Sequence, residues 1–160
     1  MRKITSVDWL VIHCAATPPD MDIGVFEIRQ WHMRRGWSDI GYHYVIRRDG
    51  AIEKGRSDTA PGAHAAGYNM NSLGICLVGG LKQGTSKAED NFTDAQFEAL
   101  VSLLKTLKVR YPLAEYLGHR DLPGVRKACP SFDVTSKLEE LENLFEETSV
   151  RPSVRNEDRI

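Results

Sequence analysis

The chain has 160 residues, 41% of them hydrophobic, 8% aromatic and 27% charged, the composition of one soluble globular domain and not of a disordered or fibrous chain. Its 21 basic and 22 acidic side chains nearly cancel, so no whole-molecule field points to nucleic acid as the main partner or to an anionic membrane. Three cysteines at unrelated intervals, Cys14, Cys76 and Cys129, argue against a disulfide framework and for packing or metal-ligating roles.

Val7 to His13 is a short, mostly apolar run that predicts a buried strand ending in a histidine. Its apolar part, Trp9-Leu10-Val11-Ile12, is too short for the core of a secretory leader, and no run approaches the ~18 apolar residues of a membrane span. The expectation is cytoplasmic synthesis without a signal peptide and without membrane insertion. After the Thr17-Pro18-Pro19-Asp20 loop, residues 22–35 are loosely helical and Gly36 supplies a stop. Asp49-Gly50 predicts a two-residue hairpin turn between strands over 42–48 and 51–56. Leu73 to Val78, closed by Gly79-Gly80, predicts a central strand.

Thr93-Asp94-Ala95-Gln96 is a capping box, and Phe92 and Phe97 can close a hydrophobic staple around it. The helix it opens carries Leu100, Val101, Leu104 and Leu107 at helical spacing and ends at Tyr111-Pro112. A last helix over 134–145 has Asp133 as its N-cap and Leu138, Leu141 and Phe145 on one face. Alternating strands and helices with one hairpin predict a single α/β domain, a central mixed β-sheet flanked by helices. Residues 1–147 are the expected domain, and 148–160 a polar, frayed tail.

Five histidines and three cysteines are the candidate ligands, and none forms a short Cys-x-x-Cys or His-x-x-x-His pair. Any metal site must therefore be assembled from distant segments, and spacing alone leaves many triplets open. Three contexts narrow the search: His13 at a strand end, His119 in Leu117-Gly118-His119-Arg120-Asp121, and Cys129 in Lys127-Ala128-Cys129-Pro130-Ser131-Phe132-Asp133.

At these residues the sequence resembles a known family. Val11-Ile12-His13, Gly41-Tyr42-His43-Tyr44-Val45-Ile46, Gly62-Ala63-His64, Asn71-Ser72-Leu73-Gly74-Ile75, Gly118-His119-Arg120-Asp121 and Lys127-Ala128-Cys129-Pro130 stand in the order seen in zinc-dependent N-acetylmuramoyl-L-alanine amidases of type 2. The likeness is greatest to the small phage lysozyme-type amidases and spans roughly residues 7 to 145. It implies His13, His119 and Cys129 as ligands of a Zn2+ ion, with water as the fourth. That zinc-activated water would cleave the amide between N-acetylmuramic acid and L-alanine of peptidoglycan. Tyr42 and Lys127 stand at the family's positions for oxyanion stabilisation and proton handling, and His64, Asn69 and Asn71 at the substrate groove.

A monomer is expected, and the resemblance implies action on the cell wall after release by a separate holin-type protein, or on wall fragments in the cytoplasm. Two other readings stay open: a peptidoglycan-recognition module that binds without cleaving, and a zinc amidase for soluble muropeptides. The remaining candidates read as structural. Strand alternation turns Cys14 away from His13 and His43 away from Tyr42, Cys76 lies inside an apolar strand, and His32 belongs to the first helix.

Overall fold

In the computed structural model, which describes residues 2–150, strand pairing gathers distant segments into one mixed sheet. Its strands are β1 (Trp9–Cys14), β2 (Tyr44–Ile46), β3 (Ile52–Lys54), β4 (Ser72–Leu77) and β5 (Glu115–Gly118), in the spatial order β3-β2-β4-β1-β5. Every neighbouring pair is parallel except the β2/β3 hairpin. Three helices cover it: α1 (Val25–Arg34), α2 (Asp94–Arg110) and α3 (Val134–Val150). The α/β class and the helix-flanked mixed sheet are as the sequence predicts.

Alternation along the strands decides what each face meets. Leu10 and Ile12, Tyr44 and Ile46, and Leu73, Ile75 and Leu77 are buried with Phe97, Leu100, Leu104 and Leu107 of α2 and with Val134 and Leu138 of α3. The intervening Val45 and Cys76 pack with Val25 and Ile28 of α1, and Val11 with Ala65 and Leu122. His13 shares the parity of Val11, so its imidazole emerges on this second face.

The α2 capping box forms as expected. Thr93 Oγ1 accepts the Gln96 N–H at 3.1 Å, Gln96 Oε1 accepts the Thr93 N–H at 3.0 Å, and the Phe92 and Phe97 rings lie 6.0 Å apart. Asp133 caps α3 by accepting the Ser136 N–H at 3.1 Å. That helix runs on to Val150, past its expected end. The rest of the expected tail, 151–160, lies outside the described residues, as does the Phe145 side chain. Among the described residues no helix is long and apolar enough to cross a membrane.

Two local expectations are corrected. The hairpin loop has three residues, Arg48-Asp49-Gly50: Arg47 accepts the Gly50 N–H and donates to Ala51 O, both at 2.9 Å. Only Gly50 takes a positive φ, +87°, while Asp49 instead accepts the Ala51 N–H through its carboxylate. Strand β5 is absent from the sequence prediction. Its four residues carry no strand signal of their own, and pairing with β1 creates it.

Candidate metal centre and active site

Register alone brings two histidines together. Ile12 of β1 pairs with Gly118 of β5, so His13 and His119, the next residues, leave the carboxyl ends of adjacent parallel strands side by side. Their ring centroids are 4.4 Å apart. Ends of this kind are where open α/β sheets form their crevices. The loop before α3 delivers the cysteine: Arg120 N–H donates to Cys129 O at 2.9 Å, Ser131 N–H to Ala128 O at 2.7 Å, and the Ser131 hydroxyl to Gly80 O at 3.0 Å. Cys129 Sγ then stands 3.7 Å from His13 Nδ1 and 3.3 Å from the Cys14 amide, which donates to it. Ligand atoms of His13, His119 and Cys129 all fall within 4.8 Å of one another, the triplet singled out from the sequence.

Burial lowers His13 well below the usual histidine range, reinforced by His64, His119 and the Lys127 ammonium. Burial and then Lys127 lower His119 as well. Both rings are therefore neutral, the form that ligates a metal. Hydrogen bonding with Cys14, and then burial, push the Cys129 thiol up; a cation bound there would reverse this, because a coordinating thiol is deprotonated. The Tyr42 ring lies 5.1 Å from that of His13. Burial raises its phenol far above the usual value, so Tyr42 keeps its proton. Lys127 is exposed at the rim.

The other expected residues are differently placed. His64 has both ring nitrogens engaged: Nδ1 is 2.8 Å from His13 Nε2, and Nε2 is 3.2 Å from Ser72 Oγ. Asn69 Oδ1 accepts the N–H groups of His64 and Ala65, each at 3.0 Å, and so shapes the loop that carries His64. Asn71 is not brought to the cluster. It precedes β4 at the far end of the sheet, where its amide donates to Asp8 at 3.2 Å.

His43 is structural, as expected, but it is not turned away. The chain is irregular before β2, and its ring meets that of His64 edge-on at 5.8 Å. Nδ1 accepts the Gly74 N–H and Nε2 bonds Ala60 O. His32 Nδ1 accepts the Gly41 N–H at 2.8 Å, and Cys76 is fully buried. Sequence reasoning missed Ser72 and the Cys14 amide: a hydroxyl at a strand start and a backbone donor carry no chemical signature in a sequence.

Fold and site together define an α/β domain with two imidazoles and one thiol gathered within metal-ligand spacing at the strand ends. The family model for N-acetylmuramoyl-L-alanine amidase matches residues 3–132. The chain is 49% identical over 133 residues to the endolysin of Escherichia phage T7, covering 83% of this chain and 86% of that one. It is 53% identical over 125 residues to the endolysin of Klebsiella phage KP32, covering 78% and 81%. Among solved structures, the N-acetylmuramoyl-L-alanine amidase LysC from Clostridium intestinale superposes with a TM-score of 0.72 at 28% identity, covering 86% of each chain. The chain belongs to the N-acetylmuramoyl-L-alanine amidase family.

Proposed function

We propose that the protein is a zinc-dependent peptidoglycan hydrolase that cleaves the amide between the lactyl group of N-acetylmuramic acid and L-alanine of the stem peptide. The observation that carries this reading is the convergence of two neutral imidazoles and one thiol at the strand ends. The donor set suits zinc, whose bonds of ~2.0–2.1 Å to nitrogen and ~2.3 Å to sulfur put tetrahedral neighbours about 3.6 Å apart, against 3.7 Å for His13 Nδ1 and Cys129 Sγ. Three protein ligands, not four, suit a catalytic site. Bound there, Zn2+ supplies Lewis acidity, polarising the scissile carbonyl and lowering the pKa of water.

The chain's own residues do the rest. Tyr42, protonated and beside His13, donates its hydroxyl to the oxyanion that develops on the carbonyl. Lys127 adds positive charge from the rim, where its field acts on both His13 and His119, and serves the same oxygen. Endolysin relatives support the polymeric cell wall as the substrate. The protein works as a monomer that reaches the wall after release by a separate holin-type protein. A recognition module that binds without cleaving is the rival reading, and Cys129 in ligand geometry favours hydrolysis over it.

The test is incubation with purified peptidoglycan, with and without chelator, scored for new amino groups and new reducing ends. Chelator-sensitive amine release is expected. Reducing ends would indicate a glycosidase, and binding without either product a recognition module.

A further inference from the structure

The site extends one layer behind its ligands, and the hydrogen positions in that layer follow from its distances. Ser72 Oγ lies 2.6 Å from Tyr68 O, a carbonyl that can only accept, so the single hydroxyl proton of Ser72 is committed there. Toward His64 Nε2, at 3.2 Å, Ser72 can then only accept, and Nε2 carries the hydrogen. A neutral His64 has its lone pair on Nδ1, which faces His13 Nε2 at 2.8 Å, so His13 donates from Nε2. The lone pair of His13 is thereby fixed on Nδ1, the atom 3.7 Å from Cys129 Sγ.

The ring nitrogens of His64 meet another imidazole and a hydroxyl, and neither is a carboxylate that would hold a second proton on the ring. The fold also reserves space for this ring. A Cβ at Gly74 would stand 2.6 Å from His64 Cγ, and one at Gly62 would stand 2.6 Å from His64 Cδ2. Glycines at 62 and 74 thus make room for the His64 imidazole.

We propose that Ser72 and His64 are positioning residues: the chain Tyr68 O, Ser72, His64, His13 sets the tautomer and rotation of His13 and presents Nδ1 to the metal. The inference rests on the metal-site reading above. Ligating histidines generally donate their second nitrogen to an acceptor, and losing that acceptor typically costs 10–100-fold in metal affinity. Here the acceptor is a second histidine, itself oriented by a hydroxyl with no freedom to turn.

The experiment measures zinc affinity by competition with a chromophoric chelator for the wild type, His64→Ala, His64→Asn and Ser72→Ala, together with the histidine tautomers of the wild type by long-range proton–nitrogen NMR. Asparagine keeps an acceptor, Oδ1, where His64 Nδ1 stands. Expected are a fall in zinc affinity of about 10–100-fold for His64→Ala, recovery of most of that loss in His64→Asn, and a hydrogen on Nε2 of both His13 and His64. Zinc binding by His64→Ala as tight as wild type, with only KM raised, would overturn the inference and return His64 to substrate contact. A hydrogen on Nδ1 of His13 in the wild type would overturn it without reference to any variant. A wild type that binds no zinc would remove the metal-site reading and this inference with it, so the two failures are distinguishable.

Discussion

Cys129 Sγ stands 3.7 Å from His13 Nδ1 across 116 residues of sequence, and the Cys14 amide, the next group along β1, donates to the same sulfur at 3.3 Å. The thiolate of a metal-bound Cys129 would thus have a fixed hydrogen-bond donor, which stabilises its charge. Cys129→Ser keeps the size but replaces the soft donor with an alcohol that stays protonated near neutral pH. It is expected to lose zinc and turnover together, while folding persists because the loop is held by backbone bonds of Arg120 and Ser131. Metal analysis beside an amine-release assay checks this; wild-type turnover in the variant would remove Cys129 from the ligand set.

Tyr42 and Lys127 should separate from the ligands in the opposite pattern, keeping zinc and losing rate. Removing one donor to an oxyanion typically costs 10²–10³ in kcat. Tyr42→Phe removes only the hydroxyl from a packed ring, so a loss of about that size with unchanged zinc content is expected. Lys127→Ala, at an exposed position, should lower kcat by roughly tenfold or more and leave stability untouched. Steady-state kinetics with metal content measured on the same preparations decides, and a Tyr42→Phe variant with wild-type kcat would end the oxyanion assignment.

Much of this was legible in the sequence, for identifiable reasons. The α2 cap is a local exchange between Thr93 and Gln96, and local exchanges are written in adjacent letters. His13, His119 and Cys129 stand in ordered motifs, which locate residues without geometry. What escaped depends on contacts between segments. Strand β5 exists because β1 offers it a partner, and His64 holds His13 because Gly74 and Ser72, in a different element, leave space and supply an acceptor. Alternation failed at His43, where the chain is not yet a regular strand.

Acid should destabilise the protein earlier than its carboxylates require. His43 is fully buried, and burial brings it down to about 4; His32, also buried, is brought to about 4 chiefly by burial and then by Arg35. Between pH 6.5 and about 4 the unfolded chain takes up protons that the folded chain refuses. The stability is fully present above pH 6.5, is lost as pH falls through this window, and levels off below it. For His43 alone the loss is about 3 kcal/mol. His43→Asn, whose Oδ1 can still accept the Gly74 N–H, should flatten the slope of unfolding free energy against pH; an unchanged slope would show that His43 does not carry it.

On the sheet's other face, Gln96 is fully buried. Its Nε2 donates to Ile46 O at 3.2 Å and Val78 O at 2.9 Å, joining the ends of β2 and β4, while Oε1 accepts from Thr93 N–H at 3.0 Å and Arg48 Nη1 at 3.1 Å. Gln96→Leu preserves volume but deletes all four bonds and strands part of the Arg48 guanidinium, which should cost about 2–4 kcal/mol. Thr93→Ala removes the hydroxyl half of the same cap and should cost about 1 kcal/mol. Because α2 packs on the face opposite His13, both variants should bind zinc like the wild type once folded. Denaturant unfolding and zinc titration on the same variants test both parts: an unshifted midpoint for Gln96→Leu would refute the stability argument, and weakened zinc binding would refute the independence of the two faces.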